Sequence, residues 1–134
     1  MATIFQTLPR LLAIGLCVGL FAAYTPAHAA THAENVAAFN QAYAQLLDNP
    51  NDVKLTLRYA ELAVTIGDYE SAIPPLERLL ITNPDQPKLK LELGILYFLL
   101  GSKDAARGYL QDAKTTAEAG SDIPTRADKY LQRL

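Results

Sequence analysis

One interval constrains this chain more than any other feature. Asn49-Pro50 recurs as Asn83-Pro84, Gly67 as Gly101 and Ala72 as Ala106, each pair 34 residues apart. Three matches at one spacing mark an internal repeat, and a repeat of this length is one supersecondary unit that cannot cover its own apolar face. Neighbouring units must therefore stack. The conserved punctuation has local reasons. A glycine permits the tight turn that ends a helix. A proline cannot continue a helix because it lacks the required N–H.

The first unit spans 53–86. A helix is expected over about 53–66, with Tyr59, Ala60 and Ala63 turned inward and Gly67 ending it. Asp68 is the expected N-cap of a second helix, in which Ala72, Leu76, Leu79 and Leu80 recur at packing positions. Asn83-Pro84-Asp85 closes the unit. Pro74 and Pro75 lie inside that second helix, where a proline costs about 3 kcal/mol, so a kink or a restart near Pro75 is expected. The second unit spans 87–119. Its first helix is expected at about 88–100 with Leu93, Gly94 and Tyr97, and Gly101 ends it. Ser102 would cap the next helix, and Ala106, Leu110 and Ala113 share one face at period 3.6.

Two further helices flank the units. Over about 35–48, Val36, Phe39, Tyr43, Leu46 and Leu47 form one stripe that stops before Asn49-Pro50. Over 122–134, Asp122 is a candidate cap and Pro124 falls in the first turn, where it is tolerated. Ala127, Tyr130, Leu131 and Leu134 then make a short apolar face. No stretch alternates as a strand would. The expected fold class is all-α, with antiparallel helix-turn-helix repeats and capping helices filling one domain over 30–134.

The first 29 residues do not fit that domain. Arg10 precedes "LLAIGLCVGLFAA", thirteen uncharged residues, and Ala27-His28-Ala29 offers a small-x-small cleavage site. This is the pattern of a secretory signal peptide, and it predicts export to the periplasm. The apolar run is shorter than the roughly 20 residues a membrane-spanning helix needs. Cys17 lies within the run behind Leu16, which is not the setting of a lipidation site. A chain beginning near Ala30 has no cysteine, so its stability has to come from apolar burial.

Composition excludes several functions. The net charge is −2 with both signs interspersed, so no basic stripe offers a nucleic-acid surface. No Lys/Arg cluster borders a long apolar face, which argues against tight membrane binding. The two histidines are His28, in the leader, and His32, expected in a disordered mature N-terminus. No metal site, cofactor site or nucleophile–base pair can be assembled from that inventory, and no catalytic residue is expected. Gly94, Gly101 and Gly108 are single glycines and not a phosphate loop.

The residues Leu93-Gly94, Tyr97, and the heptapeptide "GDYESAI" at 67–73 resemble the tetratricopeptide repeat family. That resemblance implies an α-solenoid with a concave groove lined by the first helix of each unit. The implied protein-binding groove carries Lys54, Leu57, Glu61, Val64 and Thr65 in the first unit, and Lys88, Leu91, Ile95, Phe98 and Leu99 in the second. Its implied partner is a protein, met as a peptide or an amphipathic helix. Some members grip a partner's terminal carboxylate with Lys and Asn, but Leu57 and Glu61 stand at the matching places here. Two readings of the groove stay open. It receives a partner segment, or the chain's own 122–134 helix covers it with Tyr130, Leu131 and Leu134. A homo-oligomer joined through the groove or an open repeat end is a further alternative.

A narrower resemblance rests on the run Leu91–Gly101 and the closing segment Pro124–Leu134. These are similar to the end of the periplasmic repeat domain in surface lipoprotein assembly modifiers, where a β-barrel follows. No barrel-type strands follow here. The expectation is an exported, non-catalytic adaptor, with an accessory or truncated repeat domain of an outer-membrane export system as the alternative.

Overall fold

A computed structural model describes residues 31–134. The segment 1–29 expected to be a signal peptide, with Cys17 and His28, lies outside the described residues. Six helices run in sequence: α1 His32–Asp48, α2 Val53–Ile66, α3 Tyr69–Thr82, α4 Pro87–Leu99, α5 Lys103–Thr116 and α6 Ile123–Leu131. Among the described residues there is no strand. The all-α stack of antiparallel helix pairs is the fold the repeat requires.

The helix ends show why the punctuation recurs. Gly67 and Gly101 have φ of 84° and 78°, a left-handed conformation open to glycine at little cost. Each lets the chain turn back directly, and the Asp68 and Ser102 amides reach the carbonyls of Ala63 and Tyr97 at 3.0 and 2.9 Å. Asn49 and Asn83 end α1 and α3 in matching conformations, φ −129° ψ 65° and φ −133° ψ 67°. Each precedes a proline, which disfavours the helical region for the residue before it.

Three local expectations need correction. His32 is the first residue of α1, not part of a disordered tail, so that helix begins before position 35. Thr31 and Glu34 form the capping box responsible: the Glu34 amide donates to Thr31 Oγ1 at 3.3 Å, and the Thr31 amide to Glu34 Oε2 at 2.6 Å. Thr31, through its amide first and its nearby hydroxyl second, holds the exposed Glu34 carboxylate below its ordinary pKa. Second, α3 does not restart at Pro75 but runs unbroken to Thr82. Pro74 and Pro75 leave the carbonyls of Glu70 and Ser71 without their helical donors. Both residues are exposed, so water can satisfy them. Third, Asp68, Ser102 and Asp122 stand at N-cap positions without a capping side-chain bond. Asp68 instead accepts from the Ser71 hydroxyl at 2.7 Å.

The helices form two rows. α2, α4 and α6 pack in succession along one row, whereas α1, α3 and α5 touch the first row but not each other. A stack closer along one side than the other curves, so α2, α4 and α6 line its concave side. The core has two clusters. Phe39, Leu46, Tyr59, Leu62, Leu76, Leu79, Leu89 and Leu93 belong to the first. Leu91, Ile95, Leu110, Ala113, Ile123 and Ala127 belong to the second. α4 feeds both, and every residue from Leu91 to Leu96 is buried. That explains why α4 lacks a clear polar face: a helix enclosed by neighbours needs none.

Candidate functional site

The inner face of α2 presents Lys54, Leu57, Arg58 and Glu61 within two turns, because positions three and four apart share a helix face. With Val53 and with Lys88 from the first turn of α4, they line a hollow of about 590 Å³. The lining holds three cations and one carboxylate, although the chain is net negative. Arg58 Nη1 lies 3.9 Å from Glu61 Oε2, with both side chains largely in solvent, so this pair adds little stability. Leu57 and Val53 supply the apolar part.

Of the expected groove residues, the structure brings Lys54, Leu57, Glu61 and Lys88 together. Val64 is half-buried against the first core and Thr65 is exposed, its hydroxyl donating to the Glu61 carbonyl at 2.8 Å. Leu91 and Ile95 do not offer surface. Both are buried in the second core, together with Ile123 and Ala127 of α6. Phe98 and Leu99 are half-buried at its margin. The Phe98 ring meets Tyr130 edge-on at 5.2 Å between centroids, and the Arg133 guanidinium sits 5.2 Å from the Phe98 centroid. The α4 half of the expected groove is thus occupied by the chain's own last helix.

α6 is more than a cover. Ile123 stands 34 residues after Leu89 and 68 after Leu55, and Ala127 repeats the place of Leu93 and Tyr59. α6 therefore occupies the inner-row place of a third unit. Arg58, Glu92 and Arg126 recur at the same interval, and their in-register stacking joins the last two: Arg126 Nη2 donates to Glu92 Oε1 at 2.8 Å. Sequence reasoning missed Arg58, Glu92 and Arg126, though continuing the 34-residue register would have found them. Lys114 of α5 adds a second tie to α6, donating to Asp128 Oδ1 at 2.7 Å.

Glu92 is the one ion-pair carboxylate held deep in the stack, with its side chain 11% exposed against 43% for Arg126. Burial pushes its pKa up, and Arg126 only partly opposes this; Glu61 and Asp122 push in the same direction as burial. A carboxyl whose pKa is higher folded than unfolded stabilises the fold fully below its unfolded pKa. That contribution is lost as pH rises through the folded value. Wild type should therefore gain stability relative to Glu92→Gln as pH falls from neutral toward the ordinary carboxylate range. Urea unfolding of both proteins across that window measures it, and parallel curves would mean that Glu92 titrates as if exposed. At neutral pH, Arg126→Met should cost roughly 1–3 kcal/mol by leaving the Glu92 charge unpaired, less than a fully buried pair because Arg126 reaches solvent.

Among the described residues, no helix is long and apolar enough to cross a membrane. No curated protein and no solved structure matches the chain. A family model does: residues 66–119, from the last turn of α2 through α3, α4 and α5, match the tetratricopeptide repeat. Such repeats typically act as non-catalytic scaffolds that bind protein partners, and over residues 66–119 the chain is similar to that repeat within an all-α, tetratricopeptide-like stack.

Proposed function

We propose that this chain is an exported, non-catalytic adaptor of the periplasm. It holds a segment of a partner protein in the hollow between α2 and α4. The observation that carries this reading is the set of Lys54, Leu57, Arg58 and Lys88 around one concave surface beside a family-type repeat. Leu57 and Val53 suit the apolar stripe of an amphipathic segment, and the surplus of cations suits acidic residues flanking that stripe. Export rests on the leader pattern at 1–29. The intact mass of the native protein from a periplasmic extract tests it, and retention of the leader would count against it.

The binding role has its own test. The 30–134 chain, immobilised and exposed to the same extract, should retain a partner. Arg58→Glu and Lys88→Glu should each lose it while helical circular dichroism and the melting midpoint stay near wild type, since both side chains are exposed. Equal capture by both variants would remove the hollow from the reading. The similarity of Leu91–Gly101 and Pro124–Leu134 to the repeat domain of surface lipoprotein assembly modifiers supplies the alternative setting, an outer-membrane export system.

A further inference from the structure

Tyr43, Leu47 and Ile81 stay exposed at 52%, 66% and 82% although they are large and apolar. Tyr43 and Leu47 border a second hollow, of about 480 Å³, with Tyr59 of α2 also lining it. Tyr59 lies on the side of α2 away from Leu57 and Glu61, as its spacing along the helix requires. Across from α1 stand Pro74 and Pro75 of α3. This surface is separate from the concave hollow, and its use does not depend on the function proposed above.

The second unit has a corresponding hollow, of about 540 Å³, lined by Glu77, Leu80, Ile81, Tyr109 and Asp112, and the repeat register shows how the two differ. In the second unit, the rings of Tyr97 and Tyr109 stack 5.6 Å apart and 2° from parallel. The Tyr97 hydroxyl donates to Glu77 Oε1 of α3 at 2.7 Å, which ties α4 to α3. In the first unit the residues 34 positions earlier are Ala63, Pro75 and Tyr43. Those two rings are absent in the first unit, and Tyr43 and Tyr59 stand instead where the second unit has Glu77 and Leu93. Tyr43 only leans on Tyr59, tilted 35° at 6.0 Å, while Phe39 stacks on Tyr59 at 4.5 Å within the core.

The chemistry of the rim narrows the occupant. Arg78 is the one charged side chain lining this hollow. Its Nη2 donates to the Pro50 carbonyl at 3.0 Å, which ties the guanidinium to the α1–α2 turn. Its other N–H groups make no hydrogen bond among the described residues, and a guanidinium matches a carboxylate with paired donors. Ser71, on the same wall, has its hydroxyl committed to Asp68. We propose that this hollow is a peptide site on the outer face, taking an aromatic side chain next to a carboxylate. The ring packs between Tyr43 and the Pro74–Pro75 wall, against Tyr59. The carboxylate pairs with Arg78. An aromatic residue flanked by Asp or Glu in an extended partner segment carries both groups.

The test uses acetyl-Trp-Glu-amide and acetyl-Trp-Gln-amide, titrated into isotope-labelled protein and followed by amide chemical shifts. Shifts should concentrate at Leu47, Ser71 and Arg78, and the Glu peptide should bind about 5-fold tighter than the Gln peptide. Arg78→Gln should abolish that preference. Ser71→Phe, which fills the hollow from an exposed helix position, should abolish binding of both peptides with the melting midpoint retained. Shifts centred on Leu57, Glu61 and Lys88, a Glu preference that survives Arg78→Gln, or no saturable shift would overturn the proposal.

Discussion

Gly94→Val is expected to destabilise the protein by about 3 kcal/mol or more. A Cβ at position 94 would lie 2.7 Å from Leu110 Cγ and 3.1 Å from the Leu110 backbone nitrogen. The side chain could rotate away, but the backbone of α5 could not move without disturbing Ala106 and Ala113, both fully buried. Overpacking a tight helix crossing is therefore relieved only by separating α4 from α5. For a domain of about this size, such a loss lowers the melting midpoint by roughly 10–20 °C. Gly108, in α5, supplies the control. It has no neighbour within 4 Å of an added Cβ. Gly108→Ala should stabilise the fold by about 0.5–1 kcal/mol, the ordinary helix-propensity gain. Opposite signs at two helical glycines are the expected calorimetric result. Equal signs would mean that α4 and α5 cross less closely than described.

The second large effect is expected from removing α6. A chain ending at Ser121 loses Ile123 and Ala127, both buried, and the half-buried Tyr130, Leu131 and Leu134. Fully burying one large aliphatic side chain contributes roughly 1.5–3 kcal/mol, so the deletion should cost about 3–5 kcal/mol. It would also uncover Leu91, Ile95 and the α6-facing side of Leu110. An apolar patch of that kind promotes self-association. Light scattering should show the shortened chain associating with rising concentration, and dye binding should report new apolar surface. A monomeric, equally stable product would mean that α6 is an ornament on the second core and no part of it.

These two predictions also separate what could be read in the residues from what could not. The turns at Gly67 and Gly101 and the ends at Asn49 and Asn83 depend on neighbours within a few positions, and each was visible in the repeat. The inward set of the first unit was visible for the same reason, since Tyr59, Ala60, Ala63, Ala72 and Leu76 follow helical period. The burial of Leu91 and Ile95 was not. It depends on a helix about 30 residues later docking against α4, and an exposed groove and a covered one have the same apolar pattern. The buried Glu92 was hidden similarly, because a carboxylate inside a helix reads as solvated until its partner is placed. Thr31 and Glu34 were a missed local signal: the Thr-x-x-Glu spacing of the capping box is present, and the helix was expected to start after it. Pro74 and Pro75 pointed to a kink or a restart, and the restart does not occur. Their cost is real, but it falls where the unpaired carbonyls face water, so the helix is not broken.

The two-cluster core has a kinetic consequence. Every helix contacts only those within two places of it, and no contact joins α1 to α5 or α6. Contacts so short in sequence separation favour fast folding, because little loop entropy is lost before they form. Tyr97 is the residue packed against both clusters. The first cluster has all its buried members once α4 has been synthesised, whereas the second must wait for Ile123 and Ala127. Amide exchange should therefore be slowest in α4, which feeds both clusters, and fastest in the end helices α1 and α6. An end helix is the part that can leave while the remainder stays assembled.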